Sequence, residues 1–90
     1  MKTIWKYEIK AEDIQEIEMP VGSQILCVQT QREKPCIWIL TDTETKDAET
    51  RKFFTIGTGH DFYQEQDNCK YIGSFQLHDG LLVFHLFELI

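Results

Sequence analysis

The segment Gly57-Thr58-Gly59-His60 concentrates more chemical possibility than any other in the chain. Two glycines around a hydroxyl let the backbone approach a ligand closely, and successive N–H groups can form a concave anion-binding nest. Arg51 and Lys52 lie upstream and His60 closes the segment. The expectation is a loop that holds a small anion, with Arg51, Lys52, Thr58 and His60 adding side-chain donors around Gly57 and Gly59. The structural alternative is a bulge at Gly57 and a turn at Gly59 where a strand ends. A phosphate loop of the nucleotide-hydrolase type is excluded, because its spacing and its Lys-Ser/Thr pair are missing.

Other chemistries find less material. His60, His78 and His85 stand at no metal-binding spacing, so neither a metal nor a cofactor is expected. His85, inside the most apolar stretch, reads as a satisfied core or interface residue. Cys27, Cys36 and Cys69 are an odd set without CxxC spacing. They read as small buried hydrophobes in a reducing cytoplasm, with Cys27 and Cys36 as candidate cross-strand neighbours. No nucleophile elbow and no HExxH occurs, and adjacent His60 and Asp61 point apart in an extended chain. A non-catalytic protein is therefore expected.

Aromatic residues are plentiful: Trp5, Trp38, Phe53, Phe54, Tyr71, Phe75, Phe84 and Phe87 exceed the needs of so small a core. Trp38, Phe54 and Tyr71 are the candidates to stack a base, with Arg51, Lys52, Lys70, Thr58 and His60 holding a phosphate. Net charge decides the size of the ligand. Nine basic against fifteen acidic residues leave −6, which repels a long polyanion such as duplex nucleic acid. A compact pocket needs only two or three local donors, so a small nucleotide remains compatible.

These residues must be positioned by strands. Strands are expected over Thr3–Ile9, Ile14–Met19, Gln24–Gln31, Cys36–Leu40, Arg51–Thr58, Lys70–Leu77 and Leu81–Leu89, where period two dominates and Cys36–Leu40 is apolar on both faces like a central strand. Gln31–Pro35 is a hairpin-length connection, and His78-Asp79-Gly80 is the clearest turn because Asp-Gly tolerates the left-handed region. Thr41–Thr50 and Asp61–Asn68 read as polar loops, the latter with a short turn around Phe62 and Tyr63. No stretch repeats at helical period. At 90 residues the expectation is one all-β domain over 1–90, with six or seven antiparallel strands in a barrel or sandwich.

The last strand adds a constraint. Leu81, Val83, His85, Phe87 and Leu89 share one face, and Leu82, Phe84 and Leu86 share the other. A strand apolar on both sides must be covered on both sides. Either the sheet closes on itself or another subunit supplies the second cover, and a homo-oligomer is expected. The longest apolar run, Leu81–Phe84, is far below the ~20 residues of a membrane span, and no signal peptide is visible, so no membrane partner is expected.

Several segments together resemble a family of small phage-encoded proteins with a domain of unknown function. They are MKTIWKY at 1–7, IEMPVG at 17–22, ILCV at 25–28, PCIWIL at 35–40, GTGH at 57–60 and YIGSFQLHDGLLVFHLF at 71–87. The resemblance implies a phage accessory protein acting in the bacterial host cytoplasm. In size and β-rich build the chain is also similar to anti-CBASS sponges, which sequester cyclic nucleotide signals without cleaving them. The expected function is such a counter-defence sponge for a small anionic ligand. The alternative is a module that blocks a host protein through an acidic surface formed by Asp42, Glu44, Asp47 and Glu49.

Overall fold

A computed structural model describes residues 1–90, apart from the side chain of residue 66. Seven strands run in order: β1 (Lys2–Glu8), β2 (Ile14–Pro20), β3 (Gln24–Gln31), β4 (Lys34–Asp42), β5 (Ala48–Gly57), β6 (Cys69–Leu77) and β7 (Leu82–Leu89). All pairings are antiparallel, giving a three-stranded sheet β1-β4-β3 and a four-stranded sheet β2-β5-β7-β6. The sheets face each other as a sandwich and do not close into a barrel. One 3₁₀ turn, Gln66–Asn68, precedes β6, in the second polar loop but beyond Phe62 and Tyr63. Among the described residues no helix is long and apolar enough to cross a membrane.

Strand alternation explains the core. Val28, Ile37 and Ile39 of the first sheet meet Met19, Phe53, Phe75 and Leu86 of the second, with Ile9 from the β1–β2 connection. Each comes from the inward set of its strand, since residues opposite one another in the ladder share a face. The central strand β4 is longer than its apolar stretch, because Lys34 and Asp42 pair with Gln31 and Lys2 at its ends. Similarly, β5 begins inside the hydrophilic stretch: Glu49 and Thr50 pair with Met19 and Glu18. A tertiary partner there overrides local polarity.

Two hairpin turns need the left-handed region. Arg32 and Glu33 have φ of 52° and 66°, and His78, Asp79 and Gly80 have 54°, 55° and 86°. The turns support each other, because Glu33 accepts the N–H groups of His78 (2.8 Å) and Asp79 (3.3 Å). Along that side β3 and β6 lie together, and Thr30 Oγ1 donates to the carbonyl of Gln76 at 2.7 Å. Gly73 permits the approach: a Cβ there would meet Val28 Cγ1 at 3.2 Å. Bulges fall at Leu26 in β3 and Ile72 in β6, and Gly57 is regular strand paired with Phe84.

The double cover of β7 comes from within the chain. Its Leu86 is fully buried against the core. On the outer side Phe87 stacks on Phe54 at 4.8 Å, and Phe62 from the loop after β5 packs edge-on against both, at 5.5 Å to Phe54 and 5.3 Å to Phe87. Another subunit is therefore not required to shield this strand. The inner face also holds an ion pair: Arg51 Nη2 and Nε donate to Glu88 at 2.9 and 2.5 Å, and Nη1 donates to the Ser23 carbonyl at 2.6 Å. Hydrogen bonding to Glu88 holds the guanidinium above its ordinary pKa.

Both partners of the ion pair are largely covered, at 17% and 14% side-chain exposure, so removing one strands a charge. Arg51→Met or Glu88→Gln should each cost about 2–3 kcal/mol in urea unfolding, and the Arg51→Met/Glu88→Leu double variant should recover most of it. Acid acts on two exposed carboxylates. Backbone N–H groups of His78 and Asp79 hold Glu33, and that of Glu44 holds Asp42, below their ordinary values of 4.5 and 3.8. A depressed carboxylate contributes stability above its unfolded pKa and loses it as pH falls through the lower folded one. Thermal melts should drop below about pH 4, and Glu33→Gln should flatten that drop.

Candidate functional site

A cleft of about 670 Å³ opens where β5 outruns β2. The β2–β5 ladder ends at Ile14–Phe54, and Thr55 N–H still reaches the carbonyl of Asp13 at 3.0 Å. Two residues on, the N–H of Gly57 points the same way, past the first residue of β2 and into the cleft. Phe54, Ile14, Ile56 and Phe84 supply apolar wall, while Asp13, His60, Asp61 and Tyr63 supply polar rim. Tyr63 is 87% exposed and donates from its hydroxyl to Asp61 at 3.1 Å.

Thr55 carries an unexplained polar atom on the core-facing side of β5, where the residue pairs with Leu86. The residue lines the cleft and is only 7% exposed. Its hydroxyl is the buried side-chain group left without a hydrogen-bond partner among the described residues. Such a group costs about 1–3 kcal/mol unless something satisfies it.

Gly57 shapes the wall by having no side chain. A Cβ there would stand 2.9 Å from His60 Cε1 and Nδ1, so the imidazole lies flat on the glycine. The turn that brings it back is closed by His60 N–H donating to the Gly57 carbonyl at 3.1 Å. Thr58 N–H goes to Val83 at 3.1 Å. Two of the four N–H groups in the segment, those of Thr58 and His60, thus serve the fold.

The residues singled out in the sequence separate into groups. Phe54, Gly57, Gly59 and His60 meet in this cleft. Thr58 and Tyr71 meet instead on His85: Thr58 Oγ1 and His85 Nε2 share a hydrogen bond of 2.7 Å, and Tyr71 and His85 Nδ1 share one of 3.1 Å. His85 is accordingly neither core nor unsatisfied; it ties the start of the loop to β6. Arg51 and Tyr71 line a second hollow of about 390 Å³ with Lys70 and Ser23, where Glu88 already holds the guanidinium. Lys52 lies 4.0 Å from Glu16 on the outer face of its sheet. Trp38 belongs to the other sheet, beneath the ammonium of Lys6 at 5.7 Å.

Electrostatics of the cleft differ from the expectation of a phosphate nest. Among its described lining residues only His60 can become positive, against the carboxylates of Asp13 and Asp61. Sequence reading missed Asp13, Thr55, Asp61 and Tyr63. Thr55 offered no signal at all, being an ordinary residue of a strand. The acidic loop likewise serves the fold in part: Asp42 accepts the Glu44 N–H at 3.0 Å, and Glu49 accepts that of Gly22 at 2.9 Å. No group of three or more His, Cys, Asp or Glu able to hold a metal occurs among the described residues. Cys27 lies opposite Trp38 and Cys36 opposite Gln29, so those two cysteines are not direct ladder partners.

Residues 1–90 match the domain of unknown function DUF7352. The chain belongs to that family. No curated protein matches it, and no solved structure does. This DUF7352 chain thus carries a cleft with an apolar wall and two carboxylates, Asp13 and Asp61, among its lining residues.

Gly57→Ala tests how that cleft is built. The glycine does not require positive φ, so the new methyl should only push the exposed imidazole away, at a cost below about 1 kcal/mol. The ring resonances of His60 should move toward those of a free histidine, while the His85 resonances stay in place.

Proposed function

We propose that the protein binds and sequesters a small planar ligand, a nucleobase-bearing molecule, in the cleft at the end of β5, without chemical turnover. The observation that carries this reading is the cleft that brings Phe54, Gly57, Gly59 and His60 together beside the carboxylates of Asp13 and Asp61. An apolar wall with a few convergent polar groups is the usual make-up of a small-molecule site. A carboxylate on the rim matches the adjacent N–H donors of a guanine-type edge, and exposed Tyr63 offers a face for stacking. The base is thus the recognised part. The phosphate points to the mouth, toward His60 and the N–H of Gly59.

The resemblance to phage proteins extends this reading to a role. Held tightly and left uncleaved, a cyclic nucleotide signal in the host cytoplasm would be withdrawn from immune effectors, and such a sponge needs no catalytic residue. Titration calorimetry with guanosine and adenosine nucleotides, linear and cyclic, is the test. Guanine-bearing compounds should bind, inorganic phosphate should not, and Asp61→Asn should weaken binding about tenfold, the equivalent of one charge-assisted hydrogen bond. Equal heats for phosphate and nucleotide, or no heat from any nucleotide, would sink the proposal.

A further inference from the structure

The molecule has four sheet-edge strands, and three of them are guarded. Unpaired edges invite another strand, and proteins blunt them with prolines, bulges, charges or cover. Strands β3 and β6 each carry a bulge and lie against one another. In β2 the groups facing the open side belong to Ile14, Glu16, Glu18 and Pro20, since Thr55 N–H and Val21 N–H place the odd residues toward β5. Pro20 offers no N–H there, and full overlap of two β2 strands would set Glu16 against Glu18.

Strand β1 differs. Ile9 N–H donates to Pro35 at 2.9 Å and the Met1 carbonyl accepts from Thr43 at 2.9 Å, so odd residues bond to β4. The N–H and C=O groups of Lys2, Ile4, Lys6 and Glu8 therefore face outward along a regular, proline-free strand. The next pair in the series, on Lys10, is closed by the side-chain amide of Gln15, at 3.1 and 2.6 Å. Beside the open groups Ile4 is 57% exposed and Trp5 39%.

We infer that β1 is a dimerisation edge that pairs antiparallel with β1 of a second copy about a two-fold axis at Trp5. Charge selects this register. Centred on Trp5, Lys2 opposes Glu8 of the second copy, Ile4 opposes Lys6, and every outward N–H and C=O finds a partner. Sliding the copy by two residues one way opposes Lys2 with Lys6, and the other way opposes Lys6 with itself. Like charges directly opposite destabilise a pair, and fewer backbone groups would be matched. The two Trp5 side chains face each other at a non-hydrogen-bonded position, where cross-strand side chains come closest. The result is one continuous six-stranded sheet built from two three-stranded ones.

Sedimentation equilibrium over a micromolar-to-millimolar series tests this, because strand pairing alone covers less than a standard interface and should be reversible. The wild type should show a monomer–dimer equilibrium. Ile4→Pro removes an N–H that faces outward, so the bonds to β4 survive, and it should raise the dissociation constant at least about tenfold. Lys2→Glu and Glu8→Lys should each weaken dimerisation, with effects doubled by the two-fold axis, and the double variant should restore it. That rescue is readable only in folded protein, which separates it from misfolding. A wild type monomeric throughout the series, a dimer unaffected by Ile4→Pro, or a failure of the double variant to restore pairing would each overturn the inference. Ligand binding at the β5 cleft lies on the other sheet and stands or falls separately.

Discussion

Strand β7 presents apolar side chains to both sides, and a two-layer sandwich can cover only one of them. The inner side is met by the first sheet through Ile37, Ile39 and Val28. The outer side is met by the loop after β5, which lays Phe62 across Phe54 and Phe87. That placement has two further consequences. Thr58 is drawn to His85 at the start of the loop, and the following residues fold back so that His60 rests on Gly57. The cleft is the space left beneath this fold-back, where β2 stops short of the end of β5. Covering a greasy strand and opening a cleft are here one structural event.

The buried ion pair shows how the two sheets are kept in register. Apolar contacts are non-directional, so a core of Ile, Leu, Val and Phe tolerates sliding of one sheet on the other. Arg51 reaches from β5 to Glu88 of its own sheet and to the Ser23 carbonyl at the entrance to β3. Because the fork has fixed geometry, both partners are satisfied in only one offset of the sheets. Glu33 performs the same service at the far end, linking the β3–β4 turn to the β6–β7 turn. A cation that looks available in the sequence is thus committed, and the cleft is left without one.

Strand positions were legible because alternation survives at every strand whose one face meets the core, and Asp79-Gly80 marked its turn by backbone chemistry alone. Strand ends were not. Glu49 and Thr50 join β5 only because β2 lies beside them, and no local property of an acidic segment announces a distant partner. The site was legible by half for a related reason. Gly59 advertises itself through a left-handed backbone, Gly57 and His60 through their place in a glycine-bracketed segment, and Phe54 through its size. Asp13, Asp61 and Thr55 matter through where β2 happens to end, which is a fact of register. Lys52 and Trp38 were grouped with the loop by residue type, and the ladder sends them to other faces.

Register also governs what the outer surface can do. A strand of odd length whose outward groups sit on its even residues can pair with itself in full only about its central residue, and in β1 that residue is Trp5. Opposite charges at the two ends, Lys2 and Glu8, then meet without any further adjustment. The same parity argument applied to β2 gives opposed glutamates and a missing donor at Pro20, so alternation discriminates between two edges of similar length. Net negative charge works against association of two copies at long range. In the proposed dimer, local pairing at β1 must therefore outweigh the long-range repulsion between two acidic copies.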